Sequence, residues 1–535
     1  MKSIELNLGL WNIYFIITLA LFLNQNIQIN FLYNFALILF LSIPTKNTYK
    51  HIIKQIVATF SSSYILYDES YLPPINHLIS QLREISQFNA SYLWELSGRF
   101  VSIDILLIVF ISSMAYFTFH NILKISTWVI TIIVILGISH CSQNLISYSS
   151  PHNTNSPPLP SVKLEDIKTN SALYSELNKY KKEFLDKQTN IQINLETNNF
   201  YKNNFDILVL SVCSLSWDDI KYFHLESHKL FKEFDILFEN FNSATSYSGP
   251  AVIRLLQANC GQKTHEAIMG GVSDKRCYLT DNLAELGYSF EFLLNHDGKF
   301  DNFASLVVDK GHLPATPNHI NFNPYLLNFD NSHIHRDADM FSVWLQNRNN
   351  YDNKSNKTFT LYNTVSLHDG VHFNDKKQLN AAATYEKRLN TLLDDMYYVL
   401  EGLKKSDKPT IVLFVPEHGA NIKGDKIQIA GMRELPSPKI TNVPVGLKVI
   451  GNNIKRLGDQ EVIKQQTSYT AISHLVNQIL RKNIFSENSF TPNELIKDIP
   501  VTQFVSENEG SIVMEFHNNY YYSFDNKEWM SYKIE

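Results

Sequence analysis

Short apolar runs that alternate with helical patterns fill the chain from Phe205 onward and constrain its fold most strongly. The runs are nearly continuous, as in the strands of a parallel sheet whose two faces are both covered by helices. The predicted strands are residues 207–212, 289–294, 358–365, 411–415 and 443–450, and the predicted helices are residues 249–259, 382–404 and 467–481. The pattern therefore predicts an α/β domain with a central, mostly parallel sheet.

Longer apolar segments occupy the first 140 residues and predict a separate helical part. Each has about 12 to 17 residues, close to the length that crosses a bilayer once its flanks are included. The five predicted transmembrane helices are residues 8–23, 29–43, 52–66, 103–119 and 128–139. Lys46, Lys50 and Lys54 lie between the second and third, so the positive-inside rule predicts a cytoplasmic N-terminus. We therefore expect a multi-pass anchor in a bacterial inner membrane, with the rest of the chain in the periplasm.

A polar segment separates these two parts of the chain. The stretch 149–161 is rich in Ser, Asn and Pro and cannot bury a core, and a charged, helical neck is expected to follow over residues 164–186. The predicted domains are thus a transmembrane domain over residues 1–145, a tether and neck over 146–203, and a periplasmic catalytic domain over 204–535. The net charge of −5 argues against a nucleic-acid partner.

Ser248 is the candidate nucleophile. It ends a hydroxyl-rich run, residues 242–248, and is followed by Gly249 and Pro250 at the predicted start of a helix. The first turn of a helix has unpaired backbone N–H groups and the positive end of the helix dipole, which favour an alkoxide or a phosphate. A serine at this position is also common as an ordinary cap or turn residue, so the run alone does not assign a role.

Ligand-type side chains follow four of the predicted strands. They are Cys213, the pair His296 and Asp297, His368, and the pair Glu417 and His418. Reactive groups of parallel sheets collect beyond the carboxyl ends of the strands, and thiolate, carboxylate and imidazole together suit a tetrahedral zinc ion. The hydroxyl of Ser248 could occupy the fourth position. Each residue taken singly could also be a polar side chain that merely ends a strand.

The four cysteines fit an oxidising compartment. Cys260 and Cys277 bracket a short loop and could form a disulfide, whereas Cys141 belongs to the predicted membrane exit. Cys213 has no evident partner, so its thiol is expected to be either buried or bound to a metal.

Five sequence motifs, taken together, resemble one known family. They are SVCSLSWDD at 211–219, FNSATSYSGP at 241–250, LHDG at 367–370, VPEHG at 415–419 and RELPSP at 433–438. They resemble the BcsG family of cellulose-biosynthesis phosphoethanolamine transferases. The likeness extends from Phe205 to about Glu509 and is much less diagnostic before Phe205.

The resemblance implies an alkaline-phosphatase-like α/β fold and a specific reaction. Phosphoethanolamine would pass from phosphatidylethanolamine to glucose 6-hydroxyls of cellulose through a covalent phosphoethanolamine-serine intermediate. The implied partners are the donor lipid, the cellulose acceptor, the membrane and subunits of a cellulose synthase complex. Two alternatives remain open from the sequence: an acceptor such as lipid A or another envelope glycan, and a mainly scaffolding role in the cellulose synthase complex.

The resemblance also implies roles for individual residues. It implies a single zinc ion, with no support for a second metal, and a family disulfide between Cys260 and Cys277. The implied zinc ligands are Cys213, Glu417, His418 and the nucleophile Ser248, and the other implied site residues are His368, Tyr247 and Arg433. From the residues themselves, His368 is our candidate for proton transfer and His296 is a weaker second, because an unperturbed imidazole titrates near neutral pH.

Overall fold

The structure is a computed structural model that divides the chain into two compact units. It describes residues 8–24, 27, 29–45, 47–70, 88–100, 103–120, 122–146, 164–196, 204–271, 273–318, 322–350, 357–373, 381–425, 427–525 and 528–533. One unit comprises Met1–Ser86 and Leu93–Ser175, and the other comprises Gln87–Tyr92 and Glu176–Glu535. The predicted tether at 149–161 and the side chain of Cys141 lie outside the described residues.

Helices make up the regular structure of the described residues before 147. They are α1 (Trp11–Leu23), α2 (Phe31–Ser42), α3 (Thr48–Glu69), α4 (Ala90–Phe100), α5 (Ile103–Phe119) and α6 (Ile125–Ile146). Buried apolar side chains of α1, α2, α3 and α6 form one core, which includes Phe15, Ile38, Ala58 and Ile133. The apolar segments of this region therefore pack against one another.

The prediction of five transmembrane helices is wrong. Among the described residues, no helix is both long enough and apolar enough to cross a membrane. The helices α1 and α2 have 13 and 12 residues. At a rise of 1.5 Å per residue they are only about 20 Å and 18 Å long, against a hydrocarbon core of about 30 Å. The longer α3 carries charged side chains, including Lys50, Lys54 and Glu69.

The second unit contains all the described strands and the remaining helices, except that the helix Leu164–Thr189 begins in the first unit. The strands are β1 (Asp206–Val212), β2 (Ile236–Phe238), β3 (Tyr288–Leu294), β4 (Pro317–Asn318), β5 (Leu326–Leu327), β6 (His333–Ile334), β7 (Lys357–Thr364), β8 (His372–Phe373), β9 (Thr410–Pro416), β10 (Val445–Ile450), β11 (Lys455–Arg456), β12 (Glu461–Ile463), β13 (Ser489–Phe490), β14 (Val505–Asn508), β15 (Ser511–Phe516), β16 (Asn519–Phe524) and β17 (Met530–Tyr532). The helices are α7 (Leu164–Thr189), α8 (Trp217–Tyr222), α9 (Lys229–Glu233), α10 (Ser248–Leu256), α11 (His265–Gly270), α12 (Leu279–Glu285), α13 (Phe303–Gly311), α14 (Asp337–Asn350), α15 (Ala381–Lys404), α16 (Pro438–Thr441), α17 (Thr470–Lys482), α18 (Ile484–Glu487) and α19 (Pro492–Leu495), with short 3-10 turns at Lys275–Cys277 and Phe300–Asn302.

An eight-stranded sheet forms the centre of this unit, in the order β12-β2-β10-β9-β1-β7-β3-β4. Of these strands, β10 alone runs opposite to its neighbours. Alternate residues of β1 point to opposite faces, so Ile207 and Val209 join one buried core while Leu208 and Leu210 join the other. Burial on both faces explains the continuous apolar runs and confirms the predicted α/β domain with its mostly parallel sheet.

A smaller antiparallel sheet at the end of the chain contains β14, β15, β16 and β17. Its buried residue Val513 packs with Leu435 and Phe504. The backbone N–H of Glu507 in β14 donates to the carbonyl of Ala244, 3.0 Å away. This sheet therefore lies against the loop that leads to Ser248.

Cys260 and Cys277 form a disulfide, as the resemblance implies. The two cysteines are 17 positions apart in the sequence. Closing a loop of that length in the unfolded chain is worth about 3 kcal/mol in the chain-entropy treatment.

We therefore expect a Cys260→Ser/Cys277→Ser variant to lose about 3 kcal/mol of unfolding free energy, measured by chemical denaturation. Reduction of the wild-type protein should produce the same loss, and an unchanged denaturation midpoint in both cases would contradict the prediction.

Candidate active site

Ser248 is the first residue of α10 and follows Tyr247, whose backbone is extended. Its Oγ atom lies 3.2 Å from the Sγ atom of Cys213 and 3.2 Å from Nε2 of His418. The structure thus brings the predicted nucleophile, at the N-terminus of a helix, into contact with two of the predicted metal ligands.

Cys213, Glu417 and His418 form one buried cluster. The strands β1 and β9 are parallel neighbours with Val212 opposite Pro416, so the residues that follow them lie side by side. One ligand atom from each of the three side chains lies within 4.8 Å of the others, and Sγ of Cys213 is 3.8 Å from Nε2 of His418. Parallel strand pairing is the direct cause of this convergence.

The cluster fits a divalent metal ion in both spacing and chemistry. Zinc–sulfur and zinc–nitrogen bonds of about 2.3 and 2.0 Å at a tetrahedral angle separate the two ligand atoms by about 3.5 Å. The separation of 3.8 Å between Sγ of Cys213 and Nε2 of His418 is close to that value. The Oε2 atom of Glu417 is buried and has no hydrogen-bond partner in the part of the chain that the structure describes. A cation would satisfy this oxygen.

Neighbouring groups hold two of these ligands in orientations suited to a metal. Oε1 of Glu417 accepts hydrogen bonds from Nδ2 of Asn363 and, at 2.9 Å, from Oγ of Ser211, which leaves Oε2 for a cation. Nδ1 of His418 lies 3.0 Å from the carbonyl of Gly419. We assign the proton to Nδ1, where it donates to that carbonyl, so Nε2 keeps the lone pair that a metal requires.

The electrostatics of the cluster favour a bound cation as well. Burial, with the nearby Glu417, raises the pKa of the Cys213 thiol to about 11, and burial raises the pKa of the Glu417 carboxyl to about 7. Burial, with the charge of Arg433, holds the pKa of the His418 imidazole well below its usual range. The histidine is therefore neutral, as a ligand must be. A divalent ion would supply the positive charge that a buried thiolate and carboxylate need.

Arg433 and Tyr247 both lie beside this cluster. Nη1 of Arg433 is 3.1 Å from Nδ1 of His418 and 3.3 Å from Oγ of Ser214. Among the described residues, no carboxylate forms an ion pair with Arg433. The hydroxyl of Tyr247 donates to Oε2 of Glu434 at 3.1 Å. A guanidinium beside His418 is suited to the negative charge of a phosphoryl group bound at the cluster.

His368 follows β7 and is half-buried, with Nδ1 2.9 Å from the carbonyl of Asp369. Burial, with Arg433, lowers its pKa to about 4. The imidazole is therefore neutral at neutral pH, unlike the half-charged group that the sequence led us to expect. In this state a ring nitrogen has a free lone pair for a proton, although a pKa of about 4 makes the group a weak base. Among the described residues, no hydrogen bond joins His368 to Ser248.

His296 does not join the cluster but contacts a residue that supports it. Its Nε2 lies 3.2 Å from Oδ1 of Asn363, and its Nδ1 accepts from the N–H of Gly298 at 3.1 Å. Both ring nitrogens are thus occupied, which fits a structural role better than proton transfer. Asp297, the other residue predicted at this strand end, lies 3.3 Å from the ammonium of Lys299 in a partly exposed ion pair.

Asn363 is the supporting residue that the sequence reasoning missed. It lies in β7, between β1 and β3, and its side chain reaches Glu417 in one direction and His296 in the other. The sequence does contain one signal of this role, namely a polar side chain near the end of a buried strand. A buried polar side chain is expected to bond to another polar group, which here is the Glu417 carboxylate.

We expect an Asn363→Ala variant to bind its metal about 10- to 100-fold more weakly, since the Glu417 carboxylate loses the donor that orients it. Titration against a competing chelator measures this change. A Thr360→Ala variant is a matched control in the same strand, because the Thr360 hydroxyl donates to Glu291, 2.9 Å away, and not to the cluster. Equal metal affinity in wild type and Asn363→Ala would show that Glu417 needs no such support.

Comparisons with known proteins identify the family of the chain. Residues 163–529 match the family described as the cellulose biosynthesis protein BcsG C-terminal domain, and residues 11–138 match its N-terminal domain. The chain is 31% identical to the cellulose biosynthesis protein BcsG of Escherichia coli K12, over 98% of this chain and 96% of that protein. The Salmonella typhimurium LT2 protein of the same name is also 31% identical, over 98% and 96%.

The similar solved structures are more distant. One is a protein in the alkaline phosphatase superfamily from Vibrio parahaemolyticus, with 15% identity, a TM-score of 0.46, and coverage of 65% of this chain and 86% of that one. Another is the C-terminal periplasmic domain of EcEptC from Escherichia coli in complex with Zn, with 12% identity, a TM-score of 0.40, and coverage of 59% and 93%.

The mixed sheet, with a hydroxyl and a candidate metal cluster beyond its parallel strands, defines the class of protein, an α/β enzyme with a candidate metal-dependent site. Within that class the assignment is specific, because the family matches and the identity extend over nearly the whole chain. The chain belongs to the cellulose biosynthesis protein BcsG family. The family resemblance inferred from the five motifs is therefore confirmed.

Proposed function

We propose that this protein transfers phosphoethanolamine from phosphatidylethanolamine to glucose 6-hydroxyls of cellulose through a covalent intermediate on Ser248. The observation that carries the proposal is the position of the Ser248 hydroxyl, 3.2 Å from both Cys213 and His418 at the start of α10. The family relationship supports a role in cellulose biosynthesis.

The reaction proceeds in two displacements at phosphorus. In the first, a bond forms between Oγ of Ser248 and phosphorus, the bond to the glycerol oxygen breaks, and diacylglycerol leaves with a proton. In the second, a glucose 6-hydroxyl attacks phosphorus, the bond to Ser248 breaks, and the phosphoethanolamine ester forms. Each step needs a deprotonated attacking oxygen and donors for the charge on the phosphoryl oxygens.

The surrounding side chains are suited to these needs. Backbone N–H groups at the start of α10 and the guanidinium of Arg433 stabilise negative charge on the phosphoryl oxygens. His368, neutral at working pH, takes the proton of the incoming hydroxyl, and Tyr247 directly precedes Ser248 at the start of the helix.

We assign the cofactor as one zinc ion, which Cys213, Glu417 and His418 would hold, with Ser248 as fourth ligand. Such an ion supplies Lewis-acid stabilisation of an alkoxide.

The proposal also specifies partners and location. The donor lipid resides in a membrane and the acceptor is a glucan, so we place the catalytic domain in the periplasm and expect it to work beside cellulose synthase subunits. The predicted start of that domain at residue 204 stays a prediction.

Phosphorus-31 spectra of cellulose and lipid A from cells that express the full chain test the proposal. We expect a phosphoethanolamine signal on cellulose with the wild-type protein. A signal confined to lipid A would show that the acceptor is lipid A and not cellulose. The absence of a signal from both cellulose and lipid A would contradict the proposed reaction.

A further inference from the structure

Asn508, the last residue of β14, is a buried side chain that contacts two segments of the active site at once. It is 2% exposed. Its Oδ1 accepts from the backbone N–H of Ser246 at 3.0 Å and from the hydroxyl of Thr245 at 2.9 Å. Its Nδ2 lies 2.7 Å from Oγ of Ser246, 3.3 Å from the carbonyl of Arg433 and 3.0 Å from the carbonyl of Glu434. The amide thus uses its acceptor and its donors together.

These contacts join the segment that carries the nucleophile to the segment that carries the guanidinium. Ser246 lies two residues before Ser248. The backbone carbonyl of Arg433 is one of the groups that the Asn508 side chain contacts. The hydroxyl of Ser246 also donates to the carbonyl of Arg433 at 2.5 Å. Asn508 and Ser246 therefore form a continuous hydrogen-bonded connection between the two segments.

The loop before Ser248 needs such support. Ala244 has a φ of +58°, a left-handed conformation that is unfavourable for a non-glycine residue and persists only where its surroundings impose it. Its N–H donates to Oδ1 of Asn242 at 2.8 Å, and its carbonyl accepts from the N–H of Glu507 at 3.0 Å. The strand β14 thus holds this loop by its backbone as well as by Asn508.

We propose that Asn508 is a positioning residue that sets the distance between the Ser248 hydroxyl and the Arg433 guanidinium. The inference rests on the proposed function, because that distance matters only if Ser248 attacks phosphorus while Arg433 stabilises the phosphoryl oxygens. A displacement of about 1 Å between such groups can lower a rate about 100-fold. The terminal sheet is then part of the catalytic apparatus, although none of its described side chains contacts the metal cluster.

Asparagine is suited to this position for a chemical reason. A planar amide presents one acceptor and two donor hydrogens from a short side chain. Aspartate has nearly the same shape and keeps the acceptor for Ser246 and Thr245. It lacks the N–H donors and would direct a carboxylate oxygen at the carbonyls of Arg433 and Glu434.

The test compares Asn508→Asp and Asn508→Ala with Asn259→Asp and Asn259→Ala in the full chain. Asn259 is a matched control because it is also buried and its Oδ1 accepts from Ser473 at 2.6 Å, away from the cluster. The probe is a p-nitrophenyl ester of phosphoethanolamine, with release of p-nitrophenolate and the mass of the Ser248 adduct as readouts. Metal content and melting temperature are measured for every variant.

Both Asn508 variants should lower kcat about 100-fold while KM changes less than about threefold. Their metal content should stay at the wild-type level. The Asn259 variants should keep the wild-type kcat even where they lower the melting temperature as much. If the Asn508 variants retain kcat, or lose it only in proportion to lost metal or lost folded protein, the positioning role is wrong. If the wild-type protein itself forms no adduct, the proposed function fails instead.

Discussion

A Ser248→Ala variant is expected to lose at least about four orders of magnitude in transfer rate, because removal of a nucleophile abolishes the covalent route and leaves only substrate binding. Ser248 occupies a position that no other described hydroxyl shares, at the helix start and 3.2 Å from both Cys213 and His418. The fold should be unaffected, since alanine is compatible with the first turn of a helix.

Intact-mass analysis of the full chain with a phosphatidylethanolamine analogue measures this effect. The wild-type protein should gain the mass of one phosphoethanolamine group, mapped to Ser248, and the variant should gain none. A Ser473→Ala variant is the control, because that buried serine donates to Asn259 far from the cluster. Adduct formation or normal phosphoethanolamine content in cellulose with Ser248→Ala would refute the assigned nucleophile.

A Cys213→Ser variant should bind zinc at least about 100-fold more weakly and lose transfer activity with it. The thiol is buried, and burial with Glu417 raises its pKa to about 11, so at neutral pH it loses its proton to solvent only when a bound cation stabilises the thiolate. Serine preserves the approximate shape but replaces a soft sulfur ligand by a hydroxyl that ionises much less readily.

Elemental analysis and chelator competition distinguish this effect from general damage. A Cys260→Ser/Cys277→Ser variant is the matched control, because it removes two sulfur atoms of the disulfide and none from the cluster. Its metal content should equal that of the wild type despite its lower stability. Unchanged zinc stoichiometry and affinity in Cys213→Ser would remove this residue from the ligand set.

Much of the catalytic domain could be predicted from local sequence patterns. The strands predicted at 207–212, 289–294 and 411–415 correspond to β1, β3 and β9 within a residue at each end. Prediction succeeded there because a strand buried on both faces must be apolar at nearly every position. The same reasoning placed Cys213 and Glu417 directly after strands.

The first 140 residues show where such patterns fail. Their apolar runs do coincide with helices, but many of their large apolar side chains are exposed, and composition alone does not reveal where a helix ends. In the structure α1 and α2 end after 13 and 12 residues, and α3 extends beyond its apolar run into Asp68 and Glu69. Glu69 accepts a hydrogen bond from the backbone of Asn30 at 2.8 Å, a contact that only packing creates.

By itself, the sequence determined the α/β character of the second unit and most of its strand ends, since both follow from periodicity. It also indicated the candidate site residues, in part through the motifs that resemble the family. Only the tertiary structure decided that Cys213, Ser248 and His418 lie within 3.8 Å of one another. It alone showed that Asn363 contacts Glu417 and that Asn508 contacts the segment before Ser248. The physical reason is that hydrogen bonds between segments many residues apart depend on the pairing of strands and the packing of loops, which leave no periodic trace in the chain.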